Sequence, residues 1–150
     1  MPDARPLIVA GERIARTVRY TRDDIAAFAR MSYDDNPLHR DAQLAQRARF
    51  GEIIASGQQT AAGLMGVLAT HFSRADDGMA RQMLCLNMNF AFKGPVFADQ
   101  DVLLAWQVSN AAWNAKLAGW LVHLDGSAAV ARAKPAVIAR GTILVTEVLP

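Results

Sequence analysis

The sequence predicts an α+β fold in which one long helix lies against an antiparallel sheet. Three observations predict it. Leu64, Val67, Leu68, His71 and Phe72 recur at spacings of three and four, the apolar stripe of a helix running from about Ser56 to Phe72. The second half, from Gln82 to Val148, is instead a series of partly alternating apolar runs broken by turn-forming residues. Finally, 150 residues, 52% of them hydrophobic, suit a single domain over residues 1–150 with one sizeable core.

Taken in order, Glu12 to Tyr20 reads as a first strand. Thr21-Arg22-Asp23-Asp24 then starts a helix, because an N-cap hydroxyl is followed three residues later by an acid. Ile25, Phe28 and Ala29 follow at helical spacing, so this helix runs from about Arg22 to Met31 and delivers Asp34 just beyond its end. Phe50-Gly51-Glu52-Ile53-Ile54-Ala55-Ser56-Gly57 leads into the long helix. Ser56 is its N-cap, and Gly57 lets the backbone approach a ligand closely. Ser73-Arg74-Ala75-Asp76-Asp77-Gly78 is a polar loop between the helical half and the strand half.

In the strand half, Gln82 to Phe92 is anchored by Met83, Cys85, Phe90 and Phe92 and ends at Lys93-Gly94-Pro95. Asp101 to Val108 puts Val102, Leu104 and Trp106 on one face. Lys116 to Leu124 is a third run, and Asp125-Gly126 after it reads as a hairpin turn. Ala128 to Ala133 and Ala136 to Val148 follow, separated by a break at Lys134-Pro135. Trp106, Trp113 and Trp120 are most simply sheet and interface packing.

The chemistry concentrates in Asp34-Asp35-Asn36-Pro37-Leu38-His39. Proline fixes its own φ and pushes Asn36 towards extended conformations, so the chain bends here. A bend presents Asp34 and His39 to a common point, and a carboxylate converging with an imidazole is what proton transfer to and from water needs. Asp-Asn-Pro is also ordinary turn chemistry, and on the hexapeptide alone both readings stand. Asn36 suits either orienting a water or capping the turn. Asp35 is the competing carboxylate and reads as solvated. The first N–H groups of the long helix, around Ser56 and Gly57, lack internal partners and suit an oxygen that gathers negative charge.

Other classes are disfavoured. With 16 basic and 14 acidic residues the net charge is +2, too weak to argue for nucleic acid. No run of about 18 apolar residues exists, and Leu7 to Ala10 is too brief for the core of a signal peptide, so the expectation is a soluble cytoplasmic protein with no membrane partner. The single Cys85 excludes an intrachain disulfide, suits a reducing compartment and reads as a core residue. His39, His71 and His123 show no metal-ligand spacing, so no metal is expected. His71 reads as a packed helix-end histidine, and His123 as structural or surface.

Phe28 to His39, with Ala45 six residues on, resembles the hydratase motif of the MaoC-like (R)-specific enoyl-CoA hydratases and acyl dehydratases. Phe50 to Gly57 is similar to that family's next landmark, and Asn89-Phe90-Ala91-Phe92-Lys93-Gly94-Pro95-Val96 resembles its sheet region. The resemblance implies a hot-dog fold, a central helix wrapped by an antiparallel sheet. It implies a hydro-lyase acting on a trans-2-enoyl or 3-hydroxyacyl thioester of CoA or acyl carrier protein, with no cofactor beyond the thioester carrier. Asp34 would activate water, His39 would relay a proton, and Asn36, Ser56 and Gly57 would contact the substrate. Arg47, Arg49, Arg81 and Lys93 are the candidates for contacting phosphates or an acidic carrier. A homodimer or higher homo-oligomer is implied, with the site at the subunit interface. Three departures stand out: Tyr33 where the family has Gly, Ser56 where it often has His, and Ala61-Ala62-Gly63 where a central-helix Ser is common. The alternatives are a hot-dog thioesterase and a non-catalytic acyl-thioester-binding subunit.

Overall fold

The computed structural model describes residues 7–74 and 76–148. Strand β1 (Arg13–Arg19) is followed by helix α1 (Arg22–Met31), a 3₁₀ turn (Pro37–His39), helix α2 (Ala42–Arg47) and the long helix α3 (Gly57–His71). Four strands complete the chain: β2 (Arg81–Phe92), β3 (Asp101–Asn114), β4 (Gly119–Val130) and β5 (Val137–Glu147). All five strands form one sheet in the order β1-β3-β4-β5-β2, and every neighbouring pair is antiparallel. The chain leaves one edge after β1, crosses the sheet through its helices, and returns at the other edge as β2.

Helix α3 lies on one face of that sheet. Leu64, Leu68 and Phe72, the predicted stripe, are fully buried against Val102, Leu104, Trp106, Val122, Leu124, Ile143 and Val145. Burial of each such side chain stabilises by about 1.5–3 kcal/mol relative to exposure. The Trp106 indole also donates to the Leu64 carbonyl at 2.8 Å, fixing the helix along its axis.

The strand half differs from expectation in three places. Asp125-Gly126 is not a turn: it lies inside β4, directly opposite Gln107 and Trp106 of β3. A Cβ on Gly126 would stand 2.5 Å from the Trp106 ring, so the glycine makes room for the indole. The true β3–β4 turn is at residues 115–118, where Ala118 takes a left-handed φ of 49°. Ala128 to Val130 therefore ends β4 and is not a separate strand. Cys85 is exposed, not core, because β2 is an edge strand and its register shifts between Cys85 and Asn87. Helix α2, with its Asp41 cap, had no periodic signal strong enough to predict it.

Candidate active site

Helix α1 delivers Asp34 through its own ending. Thr21 and Asp24 form the expected reciprocal cap at the start. At the end, the Tyr33 N–H donates to the Arg30 carbonyl (3.3 Å) and the Asp34 N–H to the Ala29 carbonyl (2.8 Å). This crossed pair is a Schellman ending, and it demands a left-handed residue in between. Tyr33 is that residue, with φ 60°. A left-handed φ is what glycine adopts most readily, and Tyr33 supplies it here, so the Asp34 backbone is held in place. Tyr33 itself is 94% exposed.

From there the chain folds back on itself. The Asp34 Oδ1 accepts the Asn36 N–H at 3.0 Å, and the Asn36 Oδ1 accepts the Leu38 N–H at 3.1 Å. Asn36 is exposed and caps the 3₁₀ turn, so the turn-capping alternative describes its geometry. Asp35 points away, its side chain 93% exposed.

The turn carries His39 into the protein, where it is buried. Its Nδ1 lies 2.7 Å from the Ile54 carbonyl oxygen. A carbonyl only accepts, so Nδ1 carries a proton, and in the neutral form of the ring the lone pair is then at Nε2. That Nε2 stands 3.4 Å from the Asp34 Oδ2. The separation is longer than a typical hydrogen bond, and with the ring neutral and the carboxyl ionised both atoms are acceptors. Two acceptors so placed converge on a common donor, and one water molecule can give a proton to each.

The Ile54 segment joins this pair to a cleft. Ile54 N–H donates to Leu38 (3.3 Å), Ala55 N–H to Val96 (2.8 Å) and Ala98 N–H to Ile53 (3.2 Å). These bonds strap residues 53–55 between the 3₁₀ turn and the loop before β3. Ile54 then lines a cleft of about 560 Å³ together with Gly57, Gln58, Arg49, Phe50 and Phe92. Asp34 and His39 are not on its walls; they reach it through Ile54.

At the cleft, Ser56 caps α3 by accepting the Gln59 N–H at 3.2 Å, as expected, and is itself buried. Among the described residues the N–H groups of Gly57 and Gln58 have no acceptor, and both residues line the cleft. Phe92 covers this end: a Cβ on Gly57 would lie 2.7 Å from its ring. The ring is 56% exposed, so it has room to swing aside. Thr60, the nearest hydroxyl to the missing helix serine, is buried. The Tyr20 hydroxyl, buried and without a partner among the described residues, fills the space beside Gly63, and burial pushes its phenol pKa up.

Arg81 does not face this site. It is buried at the other end of α3, bonded to Glu12 (3.0 Å), Asp77 (3.3 Å) and the Leu7 carbonyl (2.8 Å) and stacked over Phe72. Its expected role in contacting a phosphate is thereby withdrawn, because its charge is already neutralised. His71 belongs to the same cluster, 2.8 Å from Glu12. Burial alone would raise the Glu12 pKa, but hydrogen bonds from Arg81 and His71 hold it below the usual carboxylate value. His123 sits on the outer sheet face against the Thr142 hydroxyl. Two participants were not legible in the sequence: the Ile54 carbonyl, because a backbone acceptor has no residue signature, and Phe92, which reads only as a strand anchor.

The family model described as MaoC like domain matches residues 9–118, which include Asp34, His39 and Gly57. The chain is 25% identical over 100 residues to the mitochondrial 3-hydroxyacyl-[acyl-carrier-protein] dehydratase of Arabidopsis thaliana, covering 67% of this chain and 55% of that protein. It is 28% identical over 99 residues to the (R)-specific enoyl-CoA hydratase of Aeromonas caviae, covering 66% of this chain and 69% of that protein. Among solved structures, the unliganded R-hydratase PhaJ1 of Pseudomonas aeruginosa superposes with a TM-score of 0.77 at 22% identity, over 95% of this chain and 89% of that one. That likeness shows the fold, a helix on an antiparallel sheet of hot-dog type. The chain spans about half the length of the plant relatives it matches.

Proposed function

Since this chain belongs to the family of MaoC-like domains, we propose that it is a hydro-lyase that adds water to a trans-2-enoyl thioester, or removes it from a 3-hydroxyacyl thioester. The observation that carries this reading is the Asp34–His39 pair, two acceptors 3.4 Å apart with the imidazole tautomer set by the Ile54 carbonyl. Relatives named as a hydratase and a dehydratase support it.

Hydration needs a hydroxide equivalent at the β-carbon and a proton at the α-carbon. Water held by Asp34 and His39 gives one proton to the pair as its oxygen bonds the β-carbon. His39 Nε2 then returns that proton to the α-carbon. Both groups lie on one side of the substrate, so addition is syn. Meanwhile negative charge grows on the thioester oxygen, which the free N–H groups at Gly57 and Gln58 receive. One such donor is worth ~3–4 kcal/mol of barrier, and a positioned acid or base roughly 10²–10⁴-fold. Asn36 shapes the turn that aims both side chains.

A homodimer fits the same picture. β2 is an edge strand of 12 residues whose outer side has no neighbouring strand among the described residues; it exposes Leu84 and Leu86, and a second copy pairing there would bury them. Cys85, exposed and unpaired, suits a reducing compartment such as the cytoplasm. No helix among the described residues is long and apolar enough to cross a membrane.

The test is to incubate the protein with trans-2-enoyl-CoA thioesters of graded chain length, following loss of the conjugated thioester and release of free thiol in parallel. Hydration without thiol supports the proposal. Thiol release without hydration would assign a thioesterase, and tight binding without either would assign a binding subunit.

A further inference from the structure

The cleft that holds Gly57 is not isolated. A second cleft of about 390 Å³ adjoins it, and the two share Lys93, Gly94 and Pro95. The second is lined further by Lys134, Phe97, Gln100 and Pro135. The charge along this path is one-sided. Arg49 stands in the first cleft, Lys93 in both and Lys134 in the second, and no acid lines either. Among the described residues none of the three has an acidic partner within ion-pair distance.

The two lysines are also held in fixed relation. The N–H groups of Lys93 and Gly94 both donate to the Ala136 carbonyl, at 2.7 and 3.2 Å. Ala136 N–H in turn donates to Ala128 (2.8 Å), and Ala133 N–H closes the β4–β5 turn onto Val130 (3.0 Å). The loop after β2 and the loop before β5 thus form one frame, with an ammonium on each. Three uncompensated cations on such a frame fit a ligand with several phosphates better than one with a single phosphodiester.

Resting on the hydro-lyase reading above, we propose that the paired clefts hold the carrier half of a coenzyme A thioester. The pantetheine arm lies in the first cleft, and Lys93 and Lys134 bind the nucleotide phosphates over the second. CoA bears a diphosphate and a ribose phosphate, whereas an arm on a carrier protein bears one phosphodiester. Phe97 and Pro135 supply apolar surface for the base. On this reading the substrate is the CoA thioester, and an acidic carrier protein drawn to the same cations is the rival that the experiment separates from it.

The experiment compares one enoyl group on three carriers: CoA, acyl carrier protein and N-acetylcysteamine, which has no phosphate. It uses the full chain, the Lys93→Gln/Lys134→Gln double variant, and Arg16→Gln. The last removes a cation from a different groove, beside Val67 and Thr70 of α3. The double variant should lose about tenfold or more in the ratio of kcat/KM for CoA over N-acetylcysteamine, through KM, while Arg16→Gln keeps the wild-type ratio. Calorimetric binding of free CoA against pantetheine should show the same loss, and this arm reads even if nothing is turned over. An unchanged ratio and unchanged CoA binding would overturn the proposal, as would an equal loss in Arg16→Gln. A larger loss for the carrier-protein thioester than for CoA would overturn it in favour of the carrier protein. Absence of turnover on all three carriers with intact CoA binding would count against the hydro-lyase reading alone.

Discussion

Replacing Tyr33 with glycine should stabilise the protein, although it deletes a large aromatic side chain. Tyr33 holds φ 60° because the Schellman ending of α1 needs a left-handed residue there. A non-glycine residue pays about 1–2 kcal/mol for that conformation. Glycine releases the strain but enlarges the unfolded ensemble, at roughly 0.5–1 kcal/mol. The side chain is 94% exposed, so its removal forfeits almost no burial. The difference leaves a gain of about 0.5–1 kcal/mol, which for a chain of this size raises Tm by roughly 1–4 °C. Thermal melts and urea titrations of Tyr33→Gly beside Tyr33→Ala measure it, and alanine, which keeps the strain, should show no such gain. A loss of stability in Tyr33→Gly would refute the reasoning, and would mean that the ring makes contacts in an assembled form.

The remaining predictions concern the core and the buried charges. Arg81→Ala should destabilise by about 3–5 kcal/mol, because it removes the buried cation between Glu12 and Asp77 and leaves them only His71 and the half-exposed Arg74; chemical denaturation reads this directly. Glu12 has its pKa lowered in the folded state, so its stabilising contribution is complete above the ordinary carboxylate value and is lost as pH falls through the lowered one. Glu12→Gln should therefore be less stable than wild type at neutral pH, and its Tm should fall less steeply between about pH 5 and 3. Gly126→Ala should cost about 1–3 kcal/mol, since the ring it meets at 2.5 Å belongs to Trp106, which is buried and tethered to α3; equilibrium unfolding measures it.

What the sequence revealed followed local physics. Helix α1 was legible to its last residue because a reciprocal Thr21–Asp24 cap and an apolar spacing agree with each other. Helix α3 was legible from Ser56 and the Leu64–Leu68–Phe72 stripe for the same reason. The misread places depend on contacts distant in the chain. Gly126 looks like a turn residue until Trp106, twenty residues earlier, takes the space above it. Arg81 looks like a free surface cation until Glu12 is brought to it from β1's side of the fold. Cys85 reads as core from its apolar neighbours, but the strand order puts β2 at an edge. At the site, the sequence placed the carboxylate and the imidazole near one another. The Ile54 carbonyl that sets the His39 tautomer, and the separation of the pair from the cleft wall, needed the tertiary structure.

The proposed hydration requires Asp34 and His39 to act together on one water molecule. The direct measurement is the hydration rate of a trans-2-enoyl-CoA thioester by wild type, Asp34→Asn, His39→Gln and the double variant, with the Tm of each recorded. Both substitutions keep a polar group of similar size, so the fold should persist. Each single variant should lose about 10²-fold or more in kcat, with the double variant little worse than either. If either single variant, while folded, retained hydration within a few-fold of wild type, the pair would not be the catalytic unit.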